Sequence, residues 1–278
     1  MSAVPPYTLI DGIKCYSPEV ATAYDDYPDA GFDVTDRNVE KSFWVRSRNR
    51  LFTRLVRKYQ RPSGRTRFLE IGCGTGDFIQ QLAGEPNLDI TGSEIYLGGL
   101  RYARKNLPSV EFVQFDVSSG TMGDGFDMIC AFDVLEHIEN DTAALANMHR
   151  MLAPGGVLLL SVPQHMFLWS QLDEIVKHKR RYSRTDLAAK FAAAGFKVEY
   201  ATSFVFTLFP PMLLSRMLDR KRQAATPAAA DADLEKRVKF SGVVNGVFDA
   251  VMRVDETLIR MGASLPVGGT LVMVARKG

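Results

Sequence analysis

Residues 68–78 read FLEIGCGTGDF: an apolar run, then glycines at 72, 74 and 76, then an acid at Asp77. The run has the character of a buried strand. A glycine-rich turn between a strand and a helix aims backbone N–H groups at a ligand. Dinucleotide fingerprints space their glycines G-x-G-x-x-G, whereas this turn is G-x-G-x-G with Glu70 two residues ahead. Asp77 at the helix start opposes a pyrophosphate and suits a cationic ligand or an amino group.

On either side of the turn, short apolar runs alternate with helical stretches. RFLEI, LDITGSE, VEFVQFD, FDMICAFDV and GGVLLLSVP read as five strands between Arg65 and Val162, with helices such as LGGLRYARKNL and DTAALANMHRML between them. KVEYATSF and TLVMVARK add a sixth and a seventh. This alternation implies a doubly wound α/β fold with a mostly parallel, seven-stranded Rossmann-like sheet, whose ligands sit outside the carboxyl ends of the strands. Glu94 and Asp116 end the second and third strands, where carboxylates accept hydrogen bonds from a ribose and from an adenine amino group.

Four segments follow from this reading. Residues 1–60 are an irregular, acidic lead-in followed by an amphipathic helix over 41–60. Residues 61–202 are the nucleotide-binding core. Residues 203–265 are a helical insertion that caps the site, and residues 266–278 are the last core strand. From Arg46 to Arg67 the chain carries Lys and Arg but no acid. Within the insertion, RQAATPAAADADLEK has the composition of a flexible loop. After it, Val243, Val247, Val251, Val254, Leu258 and Met261 recur at helical spacing and predict an amphipathic helix with that stripe buried.

Composition sets outer limits. The chain has 278 residues, 46% hydrophobic and 24% charged, as an ordinary globular protein does. A net charge of +2 gives no global field for nucleic acid. Cys15, Cys73 and Cys130 are widely spaced and odd in number, which argues against a disulfide framework or a zinc site and fits a reducing, cytoplasmic location. No metal-binding pattern is read from the sequence. There is no signal-peptide pattern at the start. The most apolar stretch, FVFTLFPPMLL, is too short to span a membrane. Peripheral contact with the inner membrane face stays open, as does the oligomeric state.

The motifs LEIGCGTG, QFDV, FDVLEH and LAPGG, with an acid closing the second strand, resemble in order and spacing those of class I S-adenosylmethionine-dependent methyltransferases. SFWVRSRNRL, VPQHMFLWSQLDE, HKRRYS, AGFKV and LPVGGTLVMVARK resemble a bacterial subgroup of glycan- and lipid-associated or uncharacterised members. The resemblance implies S-adenosyl-L-methionine as cofactor and antiparallel pairing of the last two strands. It places Gly72, Cys73, Gly74 and Gly76 against the methionine part and Glu70 near its ammonium. Glu94 would hold the ribose, Ile95 would pack on adenine, and Asp116 and Val117 would meet the adenine edge. Phe132 would line the pocket near the sulfonium.

For methyl transfer the protein must orient an acceptor and, for hydroxyl or ammonium acceptors, remove a proton. His178 and His137 are the candidate bases, since imidazole titrates near neutrality. Trp44, Arg46 and Arg48, with His165, Arg180, Arg181 and Tyr182, are candidate substrate-binding residues, because arginines make bidentate contacts to carboxylate or phosphate. The implied acceptor is an anionic small molecule or a lipid- or sugar-linked metabolite, methylated at O or N. Nucleic acid is disfavoured because no Asn/Asp-Pro-Pro-aromatic motif follows the fourth strand. Two rivals remain: a nucleotide-dependent oxidoreductase, and a non-catalytic membrane- or partner-binding module on the same scaffold.

Overall fold

The computed structural model describes residues 5–22, 42–219 and 241–278. The stretches YDDYPDAGFDVTD and RQAATPAAADADLEK lie outside the described residues. Strands β1 (Thr8–Ile10) and β2 (Ile13–Cys15) precede helix α1 (Phe43–Tyr59). The core then alternates β3 (Thr66–Ile71), α2 (Asp77–Leu82), β4 (Leu88–Glu94), α3 (Leu97–Asn106), β5 (Glu111–Gln114), β6 (Phe126–Phe132), α4 (Asp141–Met151) and β7 (Leu152–Pro163). Helices α5 (Gln171–Ile175) and α6 (Arg184–Ala193) lead to β8 (Phe196–Phe204). Helices α7 (Phe209–Asp219) and α8 (Gly242–Arg260) separate β8 from β9 (Thr270–Lys277).

The described strands form one sheet in the order β1-β2-β5-β4-β3-β6-β7-β9-β8. The pairs β4–β5, β3–β4, β3–β6 and β6–β7 are parallel, and β9 is antiparallel to both β7 and β8. The seven expected strands are present. The sheet is larger because part of the lead-in is not irregular. The sequence Asp11-Gly12, with φ of 53° and 72°, makes a two-residue hairpin turn, and β2 adds in parallel to β5. Positive φ at both turn residues matches the twist of a hairpin, which is why Asp-Gly favours one.

Both faces of the central strands are buried, so they read as continuous apolar runs. Leu69, Ile71, Ile129 and Leu158 pack with Leu145 and Met148 of α4 on one side. Phe68, Met128, Cys130 and Leu159 pack with Leu51, Phe52 and Leu55 of α1 on the other. All three cysteines are free and buried.

The described parts of the insertion include two helices, but α8 buries a face only partly shared with the expected stripe. Val243, Val247, Val254 and Met261 are exposed and Val251 and Leu258 are partly buried against the core, whereas Met252, Asp255, Glu256 and Ile259 are buried. The reason is polar. Asp255 accepts the backbone N–H groups of Phe206 and Thr207 at 2.6 and 3.1 Å, and Glu256 faces Arg50 of α1. Phe43 and Phe248 meet edge to face at 5.1 Å across the same contact. Among the described residues no helix is long and apolar enough to cross a membrane.

Candidate active site

The turn after β3 is fixed to β4 by Gly72 and Cys73, whose N–H groups donate to the Ser93 carbonyl at 2.8 and 2.9 Å. Gly72 has φ of 73°, and a Cβ there would overlap Val134. Gly74 has φ of 53° with nothing near a would-be Cβ, so its backbone faces open space. The first glycine permits close packing and the second a bare approach for a ligand.

That space is a cavity of about 500 Å³ at the carboxyl ends of β3, β4, β5 and β6. Gly72 and Gly74 form one wall, with Glu94 and Ile95 beside them and Asp116 and Val117 beyond. The Glu94 carboxylate accepts from Gly74 N–H at 3.0 Å and from Ile95 N–H at 2.7 Å. Burial pushes its carboxyl upward from the ordinary range, and these backbone donors oppose the rise. Asp116 is held by Ser118, whose N–H and hydroxyl donate to Oδ1 at 2.8 and 2.7 Å. Both carboxylates are therefore oriented before any ligand arrives.

The other predicted cofactor residues sit behind this surface. Cys73 and Gly76 do not line the cavity, and Cys73 is buried in the cluster with Ile79 and Leu97. Glu70 is 4% exposed on the α1 side of β3. Burial raises its carboxyl to about 8, with Arg48 opposing and Asp77 and Glu94 adding to the rise. Phe132 does not reach the cavity. Its ring stacks on Phe52 at 3.9 Å and meets Phe78 edge to face.

None of the residues expected to bind substrate lines the cavity, and most of their polar groups already have partners within the chain. Arg46 faces Asp249 of α8 at 3.5 Å, and Arg48 donates to Asp133 at 3.0 Å. Trp44 packs on Phe204. Arg180 pairs with Asp141 at 3.0 Å. Arg181 is buried and donates to Asp173 at 2.7 Å and to the Gln164 carbonyl at 3.1 Å. The Tyr182 hydroxyl is buried and donates to Asp141 at 2.8 Å. His165 stacks on Phe167, and burial together with Arg181 lowers its pKa. Of the arginines, Arg46, Arg48 and Arg180 pair with carboxylates far away in sequence.

The two candidate bases do come together. His137 lines the cavity, and its ring meets that of His178 edge to face at 4.9 Å. His178 Nδ1 lies 2.9 Å from Asp173 Oδ1, and its Nε2 lies 3.8 Å from Glu136. Burial works against ionisation of Asp173, but hydrogen bonds from His178 and Arg181 bring its carboxyl down to about 2. Glu136 is fully buried, and burial followed by the charge of Asp133 pushes its carboxyl well up. Sequence reading missed Glu136, Asp133, Ser118 and Lys179. Glu136 was visible inside FDVLEH, next to a histidine already singled out.

Among the described residues lining the cavity, Lys179 is the only Lys or Arg, against Glu94, Asp116, Asp133 and Glu139. Such a lining suits a nucleoside without phosphates. Comparison with known proteins agrees with this geometry. Residues 37–201 match a family described as a methyltransferase domain. A probable S-adenosylmethionine-dependent methyltransferase of Mycolicibacterium smegmatis is 27% identical over 166 residues, 58% of this chain and 62% of that protein. A trans-aconitate 2-methyltransferase of Acidovorax ebreus is 32% identical over 120 residues, 43% of this chain and 46% of that protein. The chain thus spans less than two thirds of the length of these relatives. Phosphoethanolamine N-methyltransferase 2 of Haemonchus contortus, solved with S-adenosyl-L-methionine, shares the fold at a TM-score of 0.58 and 17% identity, covering 91% of this chain and 58% of that one. With the family match spanning more than half of its residues and the site at the sheet's switch point, the chain belongs to the methyltransferase-domain family.

Proposed function

We propose that this chain binds S-adenosylmethionine in the cavity and transfers its methyl group to a small anionic acceptor. The observation that carries the cofactor half is the pair of pre-oriented carboxylates, Glu94 and Asp116, across from a bare Gly74. They match the ribose and adenine edges of a nucleoside, and the acidic lining disfavours a pyrophosphate. In the transfer, an acceptor lone pair forms a bond to the methyl carbon as the carbon–sulfur bond breaks. The bonding pair stays on sulfur and leaves S-adenosylhomocysteine. A hydroxyl or ammonium acceptor also gives up a proton, for which His137 and His178 are the imidazoles beside the cavity. The anionic acceptor draws support from Lys179 in the lining and from the name of the Acidovorax relative.

Calorimetry with S-adenosylhomocysteine and NAD tests the cofactor. Binding of NAD in place of S-adenosylhomocysteine would return the oxidoreductase reading. A screen of metabolites with isotopically labelled cofactor then identifies the acceptor.

A lipid- or sugar-linked acceptor is the second reading. It is favoured by the exposed Met166, Phe167, Leu214, Met217 and Leu218, on two segments that contact each other. In this reading residues 203–265 are the cap that receives the acceptor at a membrane face. Flotation with anionic and neutral vesicles checks it, and failure to float with either rejects the membrane contact.

A further inference from the structure

Glu136 is 0% exposed, and neither of its carboxylate oxygens has a hydrogen-bond partner. A buried carboxylate without donors is expensive, and native structures rarely leave one so unless something else satisfies it. Its neighbours are two imidazoles. One ligand atom each from Glu136, His137 and His178 lies within 4.8 Å of the others.

The supporting residues favour a metal over a simple ion pair. Asp173 lies 2.9 Å from Nδ1 of His178. Asp173 is itself held by Arg181 at 2.7 Å and by the Ser170 N–H at 2.9 Å. A carboxylate on Nδ1 orients the ring, and the other nitrogen, Nε2, lies 3.8 Å from Glu136 as the atom placed to ligate. This carboxylate–histidine arrangement is how proteins orient imidazole ligands around a metal. The three donors come from two separate places in the fold. Glu136 and His137 lie on the turn Leu135–His137 after β6, and His178 follows α5. Ligand atoms on one tetrahedral ion with bonds of about 2.0–2.1 Å stand about 3.4 Å apart, so small side-chain rotations close the set. His137 lines the cavity, which leaves the fourth side of the cluster toward the acceptor.

We propose that Glu136, His137 and His178 bind a divalent cation of the zinc class, and that its open side receives an anionic oxygen of the methyl acceptor. Two imidazoles and one carboxylate suit borderline first-row ions better than magnesium or calcium. The acceptor half rests on the methyl-transfer reading. It answers a problem in that reading, since Arg46, Arg48, Arg180 and Arg181 are committed to carboxylates of the protein itself. That leaves Lys179, itself 3.4 Å from Glu139, as the one Lys or Arg among the described lining residues, and a cation in the cluster adds a second positive charge for the anion. The cation half stands without any acceptor.

The test uses the full, tag-free chain with Co²⁺ as probe, followed by visible absorption, and Zn²⁺ as competitor. The wild type should bind one Co²⁺ that Zn²⁺ displaces. Glu136→Gln and His178→Ala should each weaken Co²⁺ by at least about tenfold. No saturable Co²⁺ binding by the wild type overturns the proposal. So does binding that both variants retain, which places the ion elsewhere. S-adenosylhomocysteine calorimetry on all three proteins shows that they are folded. Should Glu136→Gln fail to fold, His178→Ala, at a part-exposed side chain, decides alone. S-adenosylhomocysteine bound without cobalt rejects the cation site only. Cobalt bound without S-adenosylhomocysteine rejects the methyl-transfer reading and leaves the cation site standing.

Discussion

Arg50 of α1 grips Glu256 of α8, with Nε 3.1 and 3.0 Å from the two carboxylate oxygens and Nη2 2.5 Å from one of them. A further N–H reaches Asp249 at 3.0 Å. These contacts tie the first long helix to one in the insertion, 206 residues along the chain. The guanidinium is raised above its ordinary pKa by the hydrogen bond to Glu256, so it stays charged. Burial opposes the rise.

Arg50→Ala should therefore destabilise the protein by about 2 kcal/mol, because it leaves a buried carboxylate without its donor. Glu256→Gln should cost less, and the double variant should cost less than the sum. Urea unfolding of the four proteins as a thermodynamic cycle gives the coupling. Strict additivity would mean that the two side chains do not hold the helices together.

Glu94→Ala should weaken S-adenosylmethionine binding by about tenfold or more, since a charged acceptor of two ribose hydrogen bonds is worth about 1.5–3 kcal/mol. The carboxylate also organises the turn through Gly74 and Ile95, so Glu94→Gln should fall between wild type and Ala. Calorimetry at neutral pH reads both. Unchanged affinity in Glu94→Ala would take this residue out of the site.

Glu70 gives a pH-dependent prediction. Its carboxyl is raised to about 8 in the folded chain by burial. An unfolded glutamate titrates near its ordinary range, so between about pH 4.5 and 8 the folded state holds more protons than the unfolded one. Stability therefore falls as pH rises through that window. Glu70→Gln should lessen the slope and raise the unfolding temperature at pH 8 by several degrees. Parallel pH–Tm curves for the two proteins would show that Glu70 does not titrate there.

Asp173 predicts the opposite limb. Its carboxyl sits at about 2, so its pairing with His178 and Arg181 is fully present above the ordinary carboxylate range and is lost as pH falls toward 2. Asp173→Asn should flatten the acid limb of a stability–pH profile. It should also weaken Co²⁺ by about 10–100-fold, because it loosens an oriented imidazole. An acid limb identical to that of the wild type would refute the first expectation, and unaltered cobalt affinity the second.

The core was legible because its signals are local. Apolar runs ending in acids gave the parallel strands, and the spacing of Gly72, Gly74 and Gly76 argued against a pyrophosphate. Two local signals were passed over. Asp11-Gly12 between Ile10 and Ile13 marks a hairpin, and Glu136 adjoins a candidate base. What the sequence did not show is non-local. Nothing near Arg46 or Arg48 announces that Asp249 and Asp133 lie beside them in the fold. Periodicity likewise favoured the valine stripe of α8, because it scores apolar residues. It could not foresee that Asp255 would be drawn inward by two backbone N–H groups at the end of β8.

Strand β9 lies between β7 and β8, and every ladder bond of β8 is made to β9. On the ribosome β8 therefore emerges with no partner at hand, and the edge of β7 stays open beside it. In sequence, 65 residues lie between Phe204 and Thr270. At elongation rates of about 5–20 residues per second, that is an interval of about 3–13 s during which two strand edges are unprotected. Exposed edges invite pairing with other chains. The window closes only when β9 slots in, so the nascent chain's greatest exposure to aggregation and to chaperones falls while the insertion is being made.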